Sequence, residues 1–270
     1  MQVTRFRPAG IRPLELWSLP FEGGALWQAI GAAKLDARRT AGEHDVSIAA
    51  EFAQVLRKAM TVIEAHAGHA DRVVFAGGIT GLAGFAQEVG KAAVLPGAGF
   101  GPGAAAEDEE VVVDVGQTAI KVTRRTPTSS LVTALARDIT RLPIITDESK
   151  LTRTEARELG DQAIAFAANA LARGFETRAP SIVLGLPVTL DDDLSPGGCT
   201  YAGWRGRKDL VSAIATRASE IAGTTPARLR VMNDAELAAL AARKAGLCGP
   251  GRTLVVTLGF GPGGAMVEQA

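Results

Sequence analysis

The sequence predicts an α/β protein with mixed sheets flanked by helices, and three observations carry that prediction. Short runs of β-branched and aliphatic residues lead through a turn into helical patterns, as Arg72-Val73-Val74-Phe75-Ala76 does before Gly77-Gly78 and Arg230-Val231-Met232 before an Ala-rich stretch from Ala235 to about Ala245. Two hairpin patterns stand among these units, Val111–Val115 with Ile120–Thr123 and Thr253–Leu258 with Ala265–Glu268. The chain has 270 residues, 47% of them hydrophobic and 21% charged, which is enough to bury a sizeable core in one large or two smaller domains.

Val3 to Arg7 alternates like a short strand, and Pro8, Pro13 and Pro20 predict an irregular segment after it. Gly23-Gly24 precedes one helical pattern, Ala25 to about Arg39, and Asp45 is placed to cap a second from Val46 to about Ala65. Arg72–Ala76 is a buried strand, with Thr80 placed to cap a helix after the glycine turn. Ala92–Leu95 is a further strand, followed by a glycine-dense loop at 97–106 and the acidic run at 107–110. After the hairpin, Leu131 to about Arg141 and Arg153 to about Arg173 have helical spacing. Ser181–Leu184 is a buried strand that ends at Gly185 and is stopped by Pro187. Lys208–Ala222 is helical.

Lys plus Arg equals Asp plus Glu at 29 each, and no basic run is long enough for a nucleic-acid footprint. No apolar run approaches the ~20 residues that cross a bilayer, and the first residues lack the apolar core of a signal peptide. Neither nucleic acid nor membrane is expected as a partner, and a cytoplasmic location is. The two cysteines, Cys199 and Cys248, have neither the number nor the spacing of a disulfide framework or a zinc site.

Chemistry concentrates at the strand ends. Asp114, Gly116 and Thr118 at the first hairpin tip offer a carboxylate, an open backbone and a hydroxyl, a set that suits Mg²⁺ held through water and an anion beside it. Gly77-Gly78 opens a turn that can face a nucleotide. Asp234 stands where strand meets helix, which suits a general base and equally a helix cap. Asp191-Asp192-Asp193 has the charge for a metal, although three acids in a loop are commonly just solvated. Gly99–Ala104 and Gly259–Gly264 are near copies of one another, with no other internal repeat.

Read together, these pieces resemble the ROK family of sugar kinases, within the actin, hexokinase and heat-shock ATPase superfamily. Asp114-Val115-Gly116-Gln117-Thr118-Ala119-Ile120-Lys121 is similar to the family's first phosphate motif, and Thr257-Leu258-Gly259-Phe260-Gly261-Pro262-Gly263-Gly264 to its second. Gly185-Leu186-Pro187-Val188 resembles its glycine-proline turn, Gly203-Trp204-Arg205-Gly206 its G-W segment, and Asn233-Asp234-Ala235 the segment that holds its base. Leu14-Glu15 with Ser18 looks like its L-E-x-x-x-S segment, the Ser shifted by one. Val73–Ile79 resembles its adenosine motif, and Gly103-Ala104-Ala105 the closing G-A-A.

The domain that comes after the second phosphate motif in that family has its likeness ahead of the first motif here, so the resemblance implies a circularly permuted, two-lobed actin/hexokinase-like (ribonuclease H-like) fold. Residues 1–106 and 236–270 would form the nucleotide-side lobe and 107–235 the phosphate and substrate lobe, with Thr253–Leu258 and Val73–Ala76 sharing a sheet. The implied activity is ATP-dependent phosphoryl transfer to a hydroxyl of a sugar or sugar derivative. Asp234 would be the base, Asn233 and Glu15 would join it in binding the sugar, and Asp114 would position Mg²⁺. Gly116, Gln117, Thr118, Lys121, Gly259, Gly261, Gly77 and Gly78 would serve the phosphates and nucleotide, lining one cleft. ATP and Mg²⁺ are the implied cofactors, with no structural zinc, and a homodimer is among the assemblies allowed.

Three departures accompany the resemblance. Phe260 replaces the family's Thr in the second phosphate motif. The sugar-binding E-x-G-H segment has no match, the only histidines being His44, His66 and His69. The zinc motif is absent before Glu15. The alternative they leave open is a sugar- or nucleotide-binding pseudokinase or sensor of the same fold.

Overall fold

The computed structural model describes residues 1–95, 110–116, 119–126, 129–136, 151–199 and 203–269, with the backbone alone at 33, 34, 36, 119, 125, 126 and 129–136. In chain order the elements are β1 (Gln2–Arg5), β2 (Ile11–Leu14), β3 (Pro20–Phe21), β4 (Gly24–Ala25), α1 (Leu26–Ile30), α2 (Ala32–Thr40), α3 (Asp45–Ala67) and β5 (Arg72–Ala76). Next come α4 (Phe85–Glu88), β6 (Ala93–Val94), β7 (Val111–Val115), β8 (Ala119–Thr126), β9 (Ser129–Ala136), α5 (Arg153–Glu176), β10 (Ser181–Leu186), β11 (Val188–Leu190) and β12 (Pro196–Cys199). The last are α6 (Leu210–Ala222), β13 (Arg228–Asn233), α7 (Asp234–Lys244), β14 (Gly251–Leu258) and β15 (Pro262–Gln269).

The chain divides into two compact units, Met1–Arg7 with Ala105–Asp234, and Pro8–Ala104 with Ala235–Ala270. Among the described residues the first unit holds a six-stranded mixed sheet in the order β1-β13-β10-β7-β8-β9. Four of its strands, β1, β13, β10 and β7, run parallel, and β7-β8-β9 is an antiparallel meander. The first seven residues go with this unit rather than with the residues after them, because β1 extends the sheet beside β13.

Side-chain alternation divides the sheet's faces. Val111, Val113 and Val115 of β7 join Ile182, Leu184, Leu229 and Val231 in one core with α5 and α6, while Val112 and Asp114 point to the other face. α5 starts at a capping box, in which Thr152 Oγ1 accepts from the Glu155 amide at 3.2 Å and Glu155 Oε2 accepts from the Thr152 amide at 2.8 Å. Its Gly174 lets the helix lie against β7, since a Cβ there would stand 2.7 Å from Val113 Cγ2. Trp204 is buried in the same core and donates Nε1–H to the Gly160 carbonyl at 3.1 Å, so the Gly203-Trp204 pair anchors its loop to α5.

The second unit holds, among the described residues, a five-stranded sheet in the order β2-β15-β14-β5-β6, with β14, β5 and β6 parallel and β14-β15-β2 antiparallel. β14 pairs with β5 from Thr253↔Arg72 to Thr257↔Ala76, so the two strands that the motif order puts in one sheet do share one. α3 supplies Ile48, Phe52, Leu56 and Ile63 to a core with Phe75, Phe85, Leu254 and Val256.

Five local expectations are corrected. Leu131–Ala136 lies in strand β9, where β-branched Val132 and Thr133 sit opposite β8 and tertiary pairing overrides helical spacing; residues 137–141 fall outside the described residues. The single helix from Ala25 to Arg39 is broken at Gly31, which is extended. The irregular segment after β1 contains β2, despite Pro13, because β2 is an edge strand. Asp45 is the first residue of α3 and His44 its cap position. Thr80 lies inside a 3-10 turn, Gly78–Gly81, and its hydroxyl donates to the Gly77 carbonyl at 2.7 Å instead of capping a following helix. The glycine-dense 97–106 loop and the 107–109 acids lie outside the described residues.

Candidate functional site

In the first unit the candidate residues gather at the carboxyl ends of neighbouring parallel strands. Asp114 of β7 is level with Gly185 of β10, and the next position of β10, Leu186, is level with Asn233 of β13. Asp234 follows Asn233 as the first residue of α7. With strands spaced about 4.8 Å apart, Asp114 and the Asn233-Asp234 pair lie two strands, on the order of 10 Å, from one another. Open α/β sheets bind ligands outside the carboxyl ends of their strands.

Asp114 is 8% exposed, and Lys121 stands opposite it on β8 with Nζ 3.9 Å from Oδ2. Burial pushes the Asp114 carboxyl above its usual range, and the Lys121 ammonium opposes the shift. Gly116 follows β7, whereas Gln117 and Thr118 lie outside the described residues. Asn233 is 7% exposed and donates Nδ2–H to the Val188 carbonyl at 3.0 Å, which ties the end of β13 to the corner where Pro187 separates β10 from β11. Asp234 is half-buried.

Sequence reasoning passed over the hairpin β11–β12, whose turn carries Asp191-Asp192-Asp193. Those carboxylates serve the turn and its neighbours: Asp193 Oδ1 accepts from the Ser195 amide at 2.9 Å, and Asp192 pairs with Arg7 at 2.7 Å. Among the described residues no group of three or more His, Cys, Asp or Glu side chains is placed to hold a metal ion. It also passed over the buried carboxylate of Glu110, at the opposite end of the sheet, which pairs with Arg230 and accepts from Ser181 Oγ at 3.1 Å. Arg230 in turn lies 4.2 Å over the Phe6 ring. Glu110 hides in the acidic run 107–110 and nothing in the sequence distinguishes it. Glu236, fully buried in α7, was likewise hidden by the Ala-rich stretch around it.

In the second unit the candidate residues also share one end of a sheet, beyond the carboxyl ends of β5 and β14. Gly77 follows β5 with φ +99, a left-handed conformation that favours glycine, and a Cβ on it would run into the backbone of Leu258. The two glycine turns are therefore packed against each other, Gly77 on the last residue of β14. Gly259-Phe260-Gly261 forms the three-residue tip between Leu258 and Pro262, which are partners across the hairpin. Gly78 is exposed. Glu15 follows β2, whose Leu14 pairs with Gly264, so it lies at the same end; it is exposed and accepts from Ser18 Oγ at 3.3 Å.

Compared with known proteins, the chain matches no protein-family model and no curated protein. Among the described residues no helix is long and apolar enough to cross a membrane.

Proposed function

We propose that this protein is an ATP- and Mg²⁺-dependent phosphotransferase whose acceptor is a hydroxyl of a sugar or sugar derivative, built on a permuted ROK-like, two-lobed frame. The observation that carries this reading is the placement of Asp114 and Asn233-Asp234 at the carboxyl ends of β7 and β13, the two parallel strands that flank β10 in one sheet. A metal-positioning carboxylate and a base are both needed there, on rigid elements, and a strand end fixes a side chain more firmly than a long loop. The sheet orders lend support. β7-β8-β9 with β10 and β13 beyond, and β14-β15-β2 with β5 and β6 beyond, follow one scheme, in which β2 takes the third place of its meander despite standing early in the chain.

Phosphoryl transfer asks little covalent work of a protein, so positioning and charge compensation do most of the catalysis. Asp234 takes the proton of the attacking hydroxyl, and Asn233 and Glu15 orient the acceptor. Mg²⁺ usually keeps several waters and one or two carboxylates, which fits the buried carboxylate of Asp114. When bound, the ion would compensate charge on the phosphates. Lys121 adds a fixed positive charge, and the glycine turns Gly77-Gly78 and Gly259–Gly261 offer backbone amides, with Gly116, Gln117 and Thr118 serving the other phosphate turn.

A second reading, a pseudokinase or sensor, is favoured by Phe260, which removes a hydroxyl from the second phosphate turn. A coupled ADP-release assay across a panel of sugars separates the two. The proposal expects acceptor-dependent ADP release with at least one sugar and none without Mg²⁺. Nucleotide binding without acceptor-dependent turnover would favour the sensor.

A further inference from the structure

The tip of the β14–β15 hairpin rests on the joint between α1 and α2. Ala32, the first residue of α2, donates its amide to the Gly259 carbonyl at 2.9 Å. The Phe260 carbonyl turns the same way, since a Cβ built on Gly31 would collide with it and with the Trp27 carbonyl. Gly31 is extended, at φ −83 and ψ 151, and its own amide closes α1 on the Trp27 carbonyl. Glycine is therefore required there for space, not for backbone freedom.

A trans peptide carries its C=O and N–H on opposite sides. Two successive carbonyls turned toward the joint send the next two amides, those of Phe260 and Gly261, away from it. Successive amides directed to one side make a concave site for an anionic oxygen. The base of the tip is pinned as well, by the Gly263 amide donating to Thr257 Oγ1 at 3.1 Å. From this geometry we infer that Gly31 and Ala32 are positioning residues: the α1–α2 joint fixes the peptide planes of Gly259-Phe260-Gly261 and so aims their amides at a nucleotide phosphate. The inference rests on the phosphate role proposed above for this hairpin.

Ala32→Pro tests it with least disturbance. Proline lacks the amide yet suits the first position of a helix, and it needs an extended residue before it, as Gly31 is. Gly31→Ala crowds the tip from the other side, and Gly81→Ala, whose Cβ would meet nothing within 4 Å, is the control. The full chain is titrated with Mg·ATP by calorimetry, thermal midpoints are recorded, and KM is measured for ATP and for the acceptor. Ala32→Pro should weaken nucleotide binding roughly three- to tenfold, the worth of one hydrogen bond, and raise KM for ATP but not for the acceptor, with its midpoint nearly unchanged. Gly31→Ala should weaken it further and Gly81→Ala not at all. Affinity like the wild type's in Ala32→Pro overturns the inference and leaves the hairpin's phosphate role standing. So does a loss shared equally by nucleotide and acceptor, which marks general loosening. If Gly31→Ala fails to fold, Ala32→Pro decides alone. No binding of Mg·ATP by the wild type overturns the phosphate role itself.

Discussion

Asp114 carries an electrostatic cost that can be measured. Its carboxyl is raised from the usual 3.8, first because burial penalises the charge, with Lys121 offsetting part of that. A folded-state value above the unfolded one means that the native state holds its proton to higher pH. Stability is therefore lost as pH rises from the unfolded value through the folded one, and the loss stays constant above it. Asp114→Asn removes the titration while keeping the shape. Thermal midpoints without Mg²⁺ should show the variant close to the wild type near pH 3.5 and more stable at pH 7; a variant less stable at pH 7 would mean that the carboxylate stabilises the fold. The strand-end placement of Asp114 and Asn233-Asp234 was legible in the sequence because each follows a short strand-like run, Val111–Val113 before the one and Arg230-Val231-Met232 before the other. The buried pairing of Glu110 with Arg230 was not, since its partners are joined only by strand register.

Helix α5 shows how the elements are held. Alanine in place of glycine ordinarily stabilises a helix by about 1 kcal/mol. At Gly174 the added methyl would stand 2.7 Å from Val113 Cγ2 and 3.5 Å from Ile182 Cδ1, and β-branched Val113 has little rotamer freedom with which to yield. Overpacking of this kind costs roughly 1–3 kcal/mol, so Gly174→Ala should be neutral to destabilising by about 2 kcal/mol. Chemical denaturation checks it, and a gain in stability would show that α5 is not closely seated on β7. Elements set by local pattern were readable in advance: α3, α5, β5, β10, α7 and both hairpins that flank the candidate turns. Those set by distant neighbours were not. The break at Gly31 answers to the Phe260 carbonyl, and Leu131 and Leu135 have helical spacing although their segment pairs with β8. The turn of three acids concealed β11–β12 because it reads as loop on both sides.

At the scale of the whole molecule, each unit sets its candidate residues beyond the carboxyl ends of parallel strands, and the five strands of the second sheet follow the order of five in the first, which β1 extends at one edge. That recurrence could not be read from side-chain pattern, because strand order is decided by which edges pair. The proposed activity makes Asp234 the base of a phosphoryl transfer to a sugar hydroxyl. The most direct test of that claim tracks the terminal phosphoryl group of labelled ATP into a sugar acceptor, for the wild type and for Asp234→Asn. Asn caps a helix about as well as Asp, so stability should hold. The base contributes about 10²- to 10⁴-fold, so label should enter the sugar with the wild type and fall by a factor of that size with the variant, Mg·ATP affinity being retained. A loss below tenfold, or one that tracks a fall in thermal midpoint, would contradict the role given to Asp234. No label in any sugar with the wild type would contradict the phosphotransferase itself.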